Sequence, residues 1–169
     1  MILGILKLVH ILFGLIGIGA GTVVLLGMFT GELLDKWSAI FLKCALAVSV
    51  TGLLFPLHHF LPTHWAAMLE IYVSGVAILA WRRFRLAGIW APAFALSMIF
   101  TLCLNILVAI AHVFDYLPVF EMLAPTQPKL LFLITESMVM LLFAGLGIFT
   151  VKRYRNRPTS STDRPQVNE

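Results

Sequence analysis

Residues 89–114 read IWAPAFALSMIFTLCLNILVAIAHVF, with no Asp, Glu, Lys or Arg anywhere along the run. A helix needs about 20 predominantly apolar residues to cross the roughly 30 Å hydrocarbon layer of a bilayer, and this stretch has length to spare. Four further runs meet or approach that length: 2–29, 38–57, 65–81 and 130–151. None shows the period-two alternation of a membrane strand, and a barrel would need many more segments. The chain therefore reads as all-α, a bundle of five transmembrane helices. The third run is the weakest, being short and carrying Glu70, which leaves an alternative of four spans plus a re-entrant segment.

The composition agrees. Of 169 residues, 60% are hydrophobic and 12% charged, with a mean hydropathy of +0.98. A soluble domain of this length has one core to fill and could not hide so much apolar surface from water. Polar or proline-containing segments separate the runs: 31–36, 56–64, 82–85 and 118–128. Two regions follow, a transmembrane helical domain over 1–151 and a disordered basic cytoplasmic tail over 152–169, rich in Ser, Thr and Pro. The first run lacks a basic start and exceeds a signal-peptide apolar core, so it reads as a retained helix.

Lys and Arg set the expected orientation. With the N-terminus outside and the C-terminus inside, Lys36, Lys43, Arg82, Arg83, Arg85, Lys152, Arg153, Arg155, Arg157 and Arg164 fall on the inner side. Only Lys7 and Lys129 fall on the outer side. This is the positive-inside pattern of a bacterial-type inner (plasma) membrane. The net charge of +4 then belongs to an inner face that meets anionic lipid, so the partner is the bilayer and no nucleic acid is needed. A second copy or other membrane subunits are further candidate partners. Cys44 and Cys103 each lie within a run and have no metal-ligand spacing, so they read as packing residues.

This topology gathers polar residues toward the outer side. Lys7, His10, Glu70, His112 and Glu136 come to similar depth in the outer third of the bundle. A charge in hydrocarbon costs about 2.5–3.5 kcal/mol even on insertion scales, so such groups face the bundle and pair. Lys7 against Glu70 or Glu136 is the simplest arrangement. Lys7, His10, Gly14, Gly17 and Gly21 recur at steps of three and four and share one face of the first helix. The glycines on that face let another backbone approach closely, giving a packing seam of Gly14, Gly17 and Gly21.

Four readings compete for the cluster. It can be structural, merely fixing helix packing, or it can bind a proton, an ion or a small solute as part of a transport system. It can also hold haem b between His10 and His112, which come from facing helices at equal depth. The fourth is a metal site in the loop formed by His58, His59 and His64, although adjacent histidines alone do not define a coordination set. Asn105, in mid-membrane, reads as a hydrogen bond to another helix. No phosphate loop, Ser–His–Asp spacing or His-Glu-x-x-His element is present, so the expectation is non-enzymatic.

The stretches LVHILFGLIGIGAGT (8–22), SVTGLLFP (49–56) and APTQ (124–127) resemble an uncharacterised family of small bacterial polytopic inner-membrane proteins. The likeness covers the five runs and not the tail. It implies the same membrane and brings no chemistry with it. A remoter likeness is to b-type membrane cytochromes, which bind haem through histidines on facing helices. This chain has only His10 and His112 well placed for that, and a different helix count.

Overall fold

The structure is a computed structural model of the chain, and it describes residues 2–54, 62–116 and 128–155. Five helices account for it: α1 (Ile2–Thr30), α2 (Asp35–Leu53), α3 (Pro62–Ile78), α4 (Trp90–Tyr116) and α5 (Pro128–Arg155). A turn of π-helix over Leu79–Arg83 extends α3. Each of the five is long and apolar enough to cross a membrane. The third run is one continuous helix from Pro62 to Arg83. Pro62 lies at its start, where a missing N–H costs nothing. The last helix continues to Arg155, four residues beyond the apolar run, because Lys152 and Arg153 are exposed at its end and can stay solvated while helical. The remainder of the expected tail, 156–169, lies outside the described residues.

Helices α1 to α4 form a closed ring in which each packs on its two neighbours, and α5 packs outside the ring on α4. Half of the apolar window of α4 is buried within the protein, against 6% of that of α5. Helix α4 is therefore the central element and α5 an edge. Most large apolar side chains on the outer faces stay exposed, including Leu15, Tyr72, Leu141 and Leu142. In lipid this is no liability, since hydrocarbon solvates them as well as a core would.

The connections at one end are short and well specified. Gly31, at φ 88°, ends α1 in the left-handed conformation, and Glu32 N–H returns to Gly27 C=O at 2.8 Å, as in a Schellman-type stop. Phe84 stacks on Trp90 with ring centroids 3.8 Å apart and planes 2° from parallel. That contact pins the turn from α3 to α4, where Arg85 and Leu86 both take positive φ. Trp81 Nε1–H donates to Asp35 Oδ1 at 3.1 Å, joining the end of α3 to the start of α2. Exposed Lys36, Arg82, Arg83, Arg85, Lys152 and Arg153 all belong to this end.

The interior is divided along the helix axes. Toward the basic end lies an apolar core of Met28, Phe41, Ala77, Ala80, Phe94 and Leu102 with their neighbours. Phe41, Phe94, Met28 and Leu102 are its largest fully buried members. Toward the other end, the buried positions include His10, Ser49, Glu70 and Asn105. The inward faces of late α1, early α2, late α3 and early α4 are mostly apolar, although Ser38 and Ser97 are buried there too.

Candidate functional site

Glu70 is the deepest acidic group of the polar half, 5% exposed. Ser49 Oγ–H of α2 donates to its Oε2 at 2.7 Å, and Asn105 Nδ2–H of α4 donates to its Oε1. The same amide nitrogen also reaches Thr101 C=O at 3.0 Å. One carboxyl group thus ties three helices together through neutral donors. Burial without such donors would cost several kcal/mol. One turn toward the apolar core on their own helices, Ser74 and Thr101 are fully buried. Their hydroxyls have no hydrogen-bond partner among the described residues.

His10 and His112 meet on the far side of Asn105. Their rings stack with centroids 5.9 Å apart and planes at 30°. Thr51 Oγ–H donates to Ala47 C=O at 2.7 Å and Val48 C=O at 3.0 Å. The 2.9 Å contact between His10 Nδ1 and Thr51 Oγ must then use a proton on the imidazole. His112 Nδ1–H likewise donates to Val108 C=O, one turn back, at 2.8 Å. The network assigns both rings the same tautomer, with the basic lone pair on Nε2.

Beside the histidines lies a cleft of about 250 Å3 between α1 and α4. Its walls are apolar, from Ile11, Gly14, Ile18, Val48, Val108 and Ala109, and its polar edge is His10, Asn105 and His112. Ile11, Leu15 and Val113 on its rim are exposed, so the cleft faces the surroundings sideways, toward what would be lipid.

The five residues expected to cluster are placed differently from one another. His10 and His112 touch, and Glu70 is held by Asn105, which borders the same cleft as the two histidines. Lys7 is half-buried one turn before His10. Glu136 is half-buried on α5, outside the ring, and makes no hydrogen bond or ion pair among the described residues. The donors that hold Glu70 are Ser49 and Asn105, where the sequence pointed to Lys7. The sequence marks Ser49 and Thr51 only by their place near the outer end of the second run. Of the histidine loop, His58 and His59 lie outside the described residues, and His64 is 4% exposed at the start of α3. Among the described residues no group of three or more His, Cys, Asp or Glu could hold a metal ion.

The glycine stripe lies on the ring. A Cβ on Gly14 would stand 4.0 Å from Val48, one on Gly17 3.3 Å from Cys44 Cβ, and one on Gly21 2.8 Å from both Leu102 and Phe41. The approach tightens from the polar half to the apolar half, leaving room for the cleft beside Gly14. No family model matches the chain, and no curated protein or solved structure is similar to it.

Proposed function

We propose that the chain is a non-enzymatic multi-pass protein of a bacterial-type inner membrane, N-terminus outside and C-terminus inside. On this reading the cleft between α1 and α4 binds a small lipid-soluble molecule bearing one hydrogen-bonding group. The observation that carries the proposal is the one-sided interior. A polar edge of two histidines and an amide borders an apolar cleft open sideways, while Phe41, Phe94, Met28 and Leu102 fill the other half of the ring. Such a plug disfavours passage of a solute or proton through the bundle and favours a bound ligand reached from the outer half.

The cleft is slightly smaller than the roughly 300–1,000 Å3 of drug-sized pockets, which suits a single ring or a short branched molecule. An apolar wall of Ile, Val and Ala would contribute most of the binding energy, and Asn105 with the imidazoles would orient the polar end. Ala109→Phe should fill the cleft from α4 without disturbing the Glu70 network. Solvent extracts of the purified wild type, read by mass spectrometry, should contain a small molecule at near one-to-one ratio that the variant lacks. Identical extracts from both proteins would end the proposal.

Haem b between His10 and His112 is the second reading, favoured by the tautomer that turns both Nε2 atoms into ligating positions. A macrocycle would need α1 and α4 to part, since the cleft holds only about 250 Å3. An absorption spectrum decides: a Soret band lost on His10→Ala or His112→Ala establishes haem. The orientation has its own test. A reporter fused after Glu169 should be cytoplasmic and one within 118–128 external. Both on one side would remove the fifth span.

A further inference from the structure

Because α5 packs on α4 outside the ring, the face of α4 between α3 and α5 is left open as a groove of about 800 Å3. Leu96, Phe100 and Leu107 line it from α4, Met140, Ala144 and Gly147 from α5, and Leu69 from α3. We propose that this groove holds one acyl chain of an anionic phospholipid, its phosphate against Lys152. The assignment is independent of the cleft between α1 and α4.

Length is the first argument. From Met140 to Lys152 α5 rises about 18 Å, and from Leu107 to Leu96 α4 descends about 16 Å. One leaflet of hydrocarbon is about 15 Å deep, so the groove is about as long as the path of one chain through a leaflet. Charge is the second. The lining is apolar except for Lys152 at the basic end, and exposed Arg153 follows it. An ammonium there sits where a lipid phosphate would, and two cations favour a headgroup with net negative charge. Depth is the third. The floor is deep because Ala144 and Gly147 are small, with a Cβ on Gly147 already 3.4 Å from Leu96.

Native mass spectrometry of the full chain, with phosphatidylglycerol or phosphatidylcholine added to the micelles, tests this. The wild type should retain one phosphatidylglycerol and prefer it to phosphatidylcholine by at least tenfold. Lys152→Gln, an exposed position that leaves the fold intact, should reduce the preference several-fold. Lys36→Gln, at the same end but away from the groove, should not. Ala144→Phe should lose the retained lipid whatever the headgroup, provided it elutes as a single helical species. Absence of preference in the wild type, or an unchanged preference in Lys152→Gln, overturns the proposal. So does a wild-type dimer that Ala144→Phe converts to a monomer, which would make the occupant a second copy.

Discussion

Gly21→Leu is expected to destabilise the protein by about 3 kcal/mol, the upper part of the range for overpacking, or to prevent assembly. A Cβ at this position would lie 2.8 Å from Leu102 Cδ1 and 2.8 Å from Phe41 Cε2. Neither neighbour can retreat, since Phe41 is 1% and Leu102 2% exposed and both already fill the apolar plug. Gly19→Leu is the matched control: Gly19 is exposed, and a Cβ there meets nothing within 4 Å. That change should leave stability unaltered or slightly raised, because Leu exceeds Gly in helix propensity by up to about 1 kcal/mol. Unfolding in detergent micelles, followed by circular dichroism, reads both. Equal losses in the two variants would mean that the stripe face of α1 does not pack on the ring.

Asn105→Leu is expected to cost about 2 kcal/mol, between the upper value of about 1.7 measured for hydrogen bonds within membranes and that for bonds to charged groups. The change removes the donor to Glu70 Oε1 and leaves that carboxyl oxygen without it at 5% residue exposure. Glu70→Leu alone should cost a similar amount, stranding the Asn105 amide. The double variant should recover a substantial part, because replacing both partners by apolar groups removes the unsatisfied polar atom along with the bond. A coupling of roughly 1–2 kcal/mol in the double-mutant cycle is the signature. Strictly additive losses would show that Asn105 and Glu70 act separately, and the account of the polar half would fail. Lys7→Met is the informative comparison: it should couple to Glu70 far less than Asn105 does.

The contrast between Lys7 and Asn105 shows where sequence reasoning stopped. Depth along a helix follows from counting residues, so Glu70, His10 and His112 could be put at one level from the chain alone. Azimuth does not follow. Which donor reaches Glu70 depends on how α2 and α4 are rotated against α3. The rotation brings Ser49 and Asn105 to the carboxyl, two neutral groups that satisfy it without a second charge. Glu136 shared the right depth but sits on a helix outside the ring, and nothing in the order of the runs says which helix is left out.

The apolar plug was hidden for a related reason. Phe41, Phe94 and Leu102 are unremarkable members of apolar runs, and any of them could have faced lipid as readily as the interior. In water, burial sorts apolar residues inward, and a helix announces its buried face by its polar one. In a bilayer hydrocarbon lies on both sides, so the pattern carries no such sign.

By itself, then, the sequence determined the element count, the all-α class and the crowding of basic residues toward one end, because backbone polar groups in hydrocarbon permit little else. It also determined the close approach along Gly17 and Gly21, since small residues at steps of four can serve few other ends. Only the tertiary structure decided the ring of four with α5 outside, the partners of Glu70, the stacking of His10 on His112, and the two open spaces on α4. Those depend on helix rotation and on which helices touch, and packing complementarity among many side chains fixes them together.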